Sequence, residues 1–370
     1  MKQRLIFLLL ILLVACSSAP VATPTHTLSV VIVADTPTPT IAPSPTATRT
    51  PEQALYPYTI EGLRKHKFQS GEITIRETLL ETEDFTRYLI EYPSDGLTVT
   101  GILQVPTIGE PPYPVIVMNH GFFSRTVFAS GDGTDRAAEF LNKRGYLTVS
   151  SDYRSWADAE TGESLFYSGL AIDVINLMNA LESFSEADME RIGMWGHSMG
   201  GGVTLKVLTI DPSIRSGRSR IKAAVLYSSV SADFADIIER WGPGCLGDVF
   251  EGELAPGCNS SDILPLTLPD DLVTPYFEAS ADPESLKKFS PLYHFDSVTA
   301  PIQIVYGTED GKTSAGTPPE WSKKMYEGFV EAGVDAKLYA HDGEEHSFLY
   351  DEWFAFMQRA SQFFDLHVKP

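Results

Sequence analysis

From about residue 72 onward, two textures of apolar residues follow one another along the chain. Glu72-Ile73-Thr74-Ile75-Arg76 and Thr86-Arg87-Tyr88-Leu89-Ile90-Glu91-Tyr92 alternate apolar and polar positions, and Leu97 to Val105 follows the turn Pro93-Ser94-Asp95-Gly96. Period-two patterning rich in β-branched and aromatic residues predicts antiparallel strands. Pro114-Val115-Ile116-Val117-Met118 is instead a continuous apolar run, which predicts a strand buried on both faces. Helical segments then alternate with short apolar runs. A helix near Arg136 to Arg144 leads to a strand at Tyr146 to Ser150, and a long one from about Ser164 to Ser183 leads to Arg191 to Trp195. A third, from about Met199 to Leu208, leads to Ala223-Ala224-Val225-Leu226-Tyr227. Residues 231–295 break this rhythm with Pro, Gly, Asp and scattered aromatics. It resumes with a strand at Ile302 to Tyr306, a helix near Glu320 to Ala332, a strand at Ala336 to Tyr339 and a last helix from about Asp351 to Phe364. Such alternation predicts an α/β fold whose parallel sheet is covered by helices on both faces. No internal repeat is visible.

The N-terminal segment has another character. Lys2 and Arg4 precede an apolar run from Leu5 to Ala15 that ends at Cys16. A basic start, a short apolar core and a small residue before a cut site describe a secretory signal peptide. The run falls short of the roughly 20 residues that span a bilayer. Leu13-Val14-Ala15-Cys16 resembles the bacterial lipobox, which implies cleavage before Cys16 and lipidation of its thiol. The expected location is therefore outside the cytoplasm, with the protein anchored by lipid to the outer face of a bacterial membrane. Residues 17–52 are mostly Thr, Pro, Ala and Ser, a composition that buries too little apolar surface to fold and favours extended polyproline II. They read as a tether, leaving residues 53–370 as one domain.

The balance of 28 basic against 49 acidic side chains gives a net charge of −21. Such a surface repels phosphate backbones and anionic head groups, which argues against a nucleic-acid partner and leaves the lipid as the only membrane contact. A mean hydropathy of −0.06 is incompatible with a polytopic membrane protein.

Candidate chemistry is concentrated in one phrase. After Ile192-Gly193-Met194-Trp195 comes Gly196-His197-Ser198-Met199-Gly200, then Gly201-Gly202 and a helix. A strand that turns straight into a helix projects the central side chain out of the sheet, and the flanking glycines leave room for the tight turn. Ser198 is the candidate nucleophile, and the following helix N-terminus offers amides to a developing oxyanion. A serine hydroxyl needs a base. Among eight histidines, His26 lies in the tether, His66 precedes the sheet, His294 falls in the irregular region and His367 near the C-terminus. His197 faces away from Ser198, and His120 belongs to the Met118-Asn119-His120-Gly121-Phe122-Phe123 loop as an anchor. His341 and His346 remain, and His346 is favoured because it lies in the loop beyond Gly343, before the last helix. The orienting acid comes from Tyr306-Gly307-Thr308-Glu309-Asp310-Gly311, with Asp310 preferred over Glu309. The backbone amides of Phe122 and Met199 form the expected oxyanion hole. The chain order Ser198, Asp310, His346 is that of the nucleophile-elbow hydrolases, and the chemistry calls for neither cofactor nor metal.

Ser94-Asp95-Gly96, Gly101-Ile102-Leu103-Gln104-Val105-Pro106, the His120-Gly121 loop, GHSMGG, GTED and GEEHSF together resemble the α/β-hydrolase superfamily. Within it they are similar to the catalytic domain of the prolyl oligopeptidase family and to dienelactone-hydrolase-like esterases, over about residues 70–366. The resemblance implies an eight-stranded, mostly parallel sheet and acyl transfer through a serine ester. It also aligns Asp152-Tyr153-Arg154 with a structural aromatic–arginine turn. Only about 20 residues separate tether from first strand, leaving no room for a β-propeller, and no acidic motif stands out that would hold a substrate amino terminus. Both features favour a carboxylesterase acting on a small-molecule ester. A serine peptidase acting on short peptides and a non-catalytic binding protein are the alternatives.

An insertion at 231–295 between the elbow helix and the Asp310 strand would lie over the site as a cap, with Trp241, Phe250, Tyr276 and Phe277 available to line a pocket. Cys245 and Cys258 are the cysteines left once Cys16 is lipidated, and in an exported protein they are expected to pair.

Overall fold

The structure, a computed structural model of the chain, describes residues 49–211, 213, 219–247 and 258–369. The leader, Cys16, residues 17–48 of the tether and Phe250 lie outside the described residues. The sheet comprises β1 (Thr74–Glu81), β2 (Phe85–Ser94), β3 (Leu97–Pro106), β4 (Tyr113–Asn119), β5 (Leu147–Ser151), β6 (Ala187–His197), β7 (Ile221–Tyr227), β8 (Ile302–Gly307) and β9 (Ala336–His341). Their order is β1-β2-β3-β5-β4-β6-β7-β8-β9. Antiparallel pairing runs from β1 through β3 to β5. From β5 onward every pairing is parallel. The sheet thus has nine strands where the resemblance implies eight. The edge strand β1, exposed along its whole length, is held by its pairing with β2 and makes up the difference.

Helices α1 (Asp135–Asn142), α2 (Ser168–Leu181), α3 (Met199–Ile210), α4 (Phe234–Trp241), α5 (Asp270–Ser280), α6 (Pro319–Glu331) and α7 (Tyr350–His367) cover the sheet and form the insertion. The continuous apolar run of β4 serves two cores at once. Val115 and Val117 pack with α2 and α3 residues such as Val174 and Leu205, while Ile116 and Met118 pack with Phe140 of α1 and Phe364 of α7. Every residue of α3 is buried, so the helix behind Ser198 is sandwiched rather than amphipathic.

Helix α2 begins later than its periodicity predicts, at Ser168 instead of Ser164. Phe166 and Tyr167 adopt positive φ angles of 53° and 60°. Their amides donate to the Asp262 carboxylate at 2.8 and 3.1 Å, so a charge from the insertion fixes the turn into the helix. Within the insertion, Cys245–Leu246 pairs in parallel with Ile263–Leu264, and Cys245 and Cys258 form a disulfide with Cα atoms 5.3 Å apart.

Candidate active site

Ser198 occupies the junction of β6 and α3 with φ 55° and ψ −122°, a left-handed geometry that costs a non-glycine residue free energy and persists because its surroundings hold it. Its N–H donates to the Tyr227 carbonyl of β7 at 3.0 Å. A Cβ on Gly196 would overlap the Gly200 carbonyl, and one on Gly200 would overlap the carbonyl of Asn119 at the tip of β4. These two glycines let strand, turn and helix close up. On the other side, a Cβ on Gly121 would stand 3.1 Å from Ser198 Cβ, so the His120–Phe122 backbone runs beside the Ser198 side chain. Met199 is the first residue of α3, where a helix N–H has no intrahelical acceptor.

Asp310 follows β8 and His346 lies in the loop after β9. The imidazole Nδ1 lies 3.1 Å from Asp310 Oδ1 and 3.0 Å from Oδ2. Oδ1 also accepts the N–H groups of Gly311 at 2.7 Å and Thr317 at 2.8 Å, and Oδ2 lies 2.8 Å from the Thr317 hydroxyl. Burial pushes the Asp310 carboxyl up, but the His346 and Thr317 hydrogen bonds outweigh it and hold the group below the usual carboxylate range. The imidazole is therefore anchored by an ionised carboxylate. Ser198 lines the same cavity as His346, without a hydrogen bond between them; such bonds commonly tighten when substrate binds.

The remaining candidates separate cleanly. Glu309 pairs with Lys312, while its own N–H donates to the Glu344 carbonyl at 2.9 Å. His341 is buried against α7, with Glu352 at 2.8 Å on Nδ1 and Arg359 at 3.0 Å on Nε2. His120 is a buried anchor between Phe128 and Tyr153, with Nδ1 2.7 Å from the Gly121 carbonyl and burial pushing it down to about 4. Arg154 forks onto the buried Asp173 carboxylate at 2.8 and 3.0 Å, which gives the Asp152-Tyr153-Arg154 turn a structural role. His66 meets Asp95 at 2.7 Å. Sequence reasoning missed Thr317, because a lone threonine in an irregular loop carries no signal until its distance to Asp310 is known.

The cavity above Ser198 has a volume of about 810 Å³. Phe122, Tyr167, Met199 and Val230 contribute from the core, and Ile238, Trp241 and Asn259–Ser261 from the insertion, which therefore lines part of the cavity. Of the aromatics expected there, Trp241 lines the cavity and Tyr276 does not. Tyr276 is fully buried and its hydroxyl is occupied, donating to Asp262 at 2.8 Å and accepting the Gly244 N–H at 2.8 Å. Phe277 faces solvent and is not part of the wall. Helix α4 also reaches the acid loop. Arg240 donates to the Gly311 and Thr313 carbonyls at 3.0 and 2.7 Å, and Trp241 Nε1 to the Ser314 carbonyl at 2.6 Å.

Residues 63–225 match the sequence profile of the acetyl xylan esterase family AXE1. An uncharacterized 31.7 kDa protein of the traX–finO intergenic region of Escherichia coli is 27% identical over 124 residues, 33% of this chain and 41% of that protein. The chain thus spans less than half the length of that curated relative. Among solved structures, acetyl xylan esterase from Paenibacillus sp. R4 superposes with a TM-score of 0.57 at 16% identity, over 86% of this chain and 96% of that one. A putative dipeptidyl aminopeptidase IV from Bacteroides ovatus gives 0.55 at 17% identity, over 77% of this chain and 36% of the other. Sheet order, the strand–turn–helix at Ser198 and these matches agree on the α/β-hydrolase fold.

Proposed function

We propose that this protein is a serine hydrolase that cleaves carboxylic esters of small molecules through an acyl-enzyme. The reading rests above all on the His346–Asp310 pair, 3.0 Å apart, at the wall of the cavity that Ser198 lines. Ser198 Oγ attacks the ester carbonyl while His346 Nε2 takes its proton. The oxyanion is held by the Phe122 and Met199 amides, and the Asp310 carboxylate stabilises the imidazolium. His346 then gives the proton to the departing alkoxide, leaving the Ser198 ester and a free alcohol. Water, deprotonated by the same imidazole, releases the acid and restores the serine.

The match to an acetyl xylan esterase profile over residues 63–225 supports an ester over a peptide. In the intact chain a lipid on Cys16 would hold the enzyme at the outer face of a bacterial membrane, with the Pro/Thr-rich residues up to 48 as spacer. The last residues expected in the tether are instead part of the domain, where Pro51–Leu55 is a helix and Glu52 pairs with Lys288 at 2.9 Å.

Fluorophosphonate labelling of the folded protein, with Ser198→Ala as control, tests the nucleophile, and absence of a Ser198 adduct would count against the reading. A panel of p-nitrophenyl esters and peptide anilides tests the substrate class, since faster turnover of anilides would make it a peptidase. Cys16→Ser should release the protein from membranes, and unchanged partitioning would remove the anchor from the account.

A further inference from the structure

His197 precedes the nucleophile and has no place in the proton relay, yet its ring is packed between two others. It stacks on Tyr227 with centroids 4.6 Å apart and planes at 27°, and it lies 4.9 Å from the His346 ring at 38°. His197 and Tyr227 are direct register partners at the C-terminal ends of β6 and β7. His197 Nε2 stands 3.1 Å from the main-chain oxygen of His346. Burial, and then the charge His346 would carry, push His197 down to about 3. The ring is therefore neutral, and its single proton must sit on Nε2 to donate to that carbonyl. Two residues further on, the Phe348 N–H donates to the Tyr227 hydroxyl.

Resting on the reading of His346 as the catalytic base, we propose that His197 and Tyr227 are positioning residues that hold the His346 loop by its main chain at the imidazole-bearing residue and just after it. His346 has no helix or strand to fix it: the residues from Asp342 to Leu349 form turns and irregular backbone. Its side chain is 24% exposed, so one part of the ring has no packing against it. Asp310 restrains only Nδ1. A hydrogen bond to the His346 carbonyl and another from the Phe348 amide fix where Cα stands, and hence where Nε2 points. The stack's neutrality matters as well, because a second cation beside the imidazolium would raise the barrier that Asp310 lowers. Displacing a reacting group by about 1 Å can cost on the order of 100-fold in rate.

The test uses the full chain carrying His197→Leu, His197→Gln or Tyr227→Phe. Turnover of a p-nitrophenyl ester is normalised to the sites that react with fluorophosphonate. His197→Leu should lower kcat about 10- to 100-fold with KM within about 3-fold. The Nε2 amide of His197→Gln reaches the same carbonyl, so this variant should recover most of the loss, whereas a purely structural role would set the two back alike. Tyr227→Phe, which keeps the ring, should lower kcat by about 3- to 10-fold. Wild-type kcat per labelled site in His197→Leu, or no advantage of Gln over Leu, would overturn the proposal. If His197→Leu does not fold, Tyr227→Phe decides: unchanged kcat refutes the clamp and reduced kcat at unchanged KM supports it. Wild-type protein that neither labels nor turns over ester would instead defeat the function on which the clamp depends.

Discussion

Thr317→Val removes one hydroxyl beside Asp310 and changes little else in shape. The carboxylate has four neighbouring donors: the Gly311 N–H, the Thr317 N–H, the Thr317 hydroxyl and His346 Nδ1. The hydroxyl has one proton and two acceptors within reach, Asp310 Oδ2 at 2.8 Å and the Ser228 carbonyl at 3.0 Å. The charged and nearer oxygen is the stronger acceptor. A hydrogen bond to a charged group contributes about 1.5–3 kcal/mol. On the proposed mechanism the carboxylate stays ionised throughout, so only the part of that energy that grows as the imidazolium forms would reach the barrier. About 1.4 kcal/mol of it would lower kcat about 10-fold. The acid dependence of stability shifts too. A carboxyl held below its unfolded value stabilises the fold above that value, and the benefit disappears as pH falls through the folded-state value. Losing the hydroxyl moves the Asp310 carboxyl upward toward its unfolded value, so Thr317→Val should be less stable near neutral pH and lose less stability on acidification than the wild type. Ester turnover per labelled site and thermal midpoints from pH 3 to pH 7 measure both. Wild-type kcat together with an unshifted acid limb would refute the assignment and send the proton to Ser228.

Asp310→Asn should reduce kcat by about 10³- to 10⁴-fold, whereas Glu309→Gln, whose parent carboxylate pairs with Lys312, should leave ester turnover within about 2-fold. Cys245→Ser opens a link between residues 13 apart in sequence and should lower unfolding free energy by about 3 kcal/mol in denaturant melts, a difference that reductant abolishes. Burial, against hydrogen bonds from Ser130 and Thr100, pushes Asp152 up to about 6; its ionisation should therefore erode stability as pH rises through that value, and Asp152→Asn should remove that slope in melts from pH 4.5 to pH 7.5. Trp241→Phe keeps an aromatic ring, though a smaller one, but drops the bond to the Ser314 carbonyl at 2.6 Å, and a loss of about 1 kcal/mol should appear as about 5-fold in kcat if the cap steadies the acid loop.

The sheet was legible where burial enforces a pattern on its strands, as it does not on the exposed edge strand β1. Ile116 and Met118 face one core while Val115 and Val117 face the other, so β4 must be apolar at every position. The elbow was legible for a steric reason, since Gly196 and Gly200 stand where no Cβ fits. Chain order and loop position then separated Asp310 from Glu309 and His346 from His341. What stayed hidden depends on contacts between distant segments. The start of α2 is set by Asp262, nearly a hundred residues downstream, whose carboxylate takes two amides that periodicity alone would assign to the helix. Tyr276 and Trp241 are both large aromatics of the insertion. Only the packing tells that the first seals the core and the second faces the cavity.

On the proposed mechanism, the insertion would serve the catalytic machinery as well as the cavity wall. Ser198 is fixed by the sheet, through its bond to Tyr227 and the glycines on either side. Asp310 and His346 stand on loops, and loops need external ties. Those for His346 come from β6 and β7, while those for the Gly311–Thr317 loop come from α4, whose Arg240 and Trp241 bind three of its carbonyls. The same Trp241 lines the cavity. A substrate that presses on this wall therefore presses on the segment that delivers two Thr317 donors to Asp310. Binding energy collected at this wall can thus be expressed in the orientation of the base, so that changes in the insertion alter kcat and not KM alone.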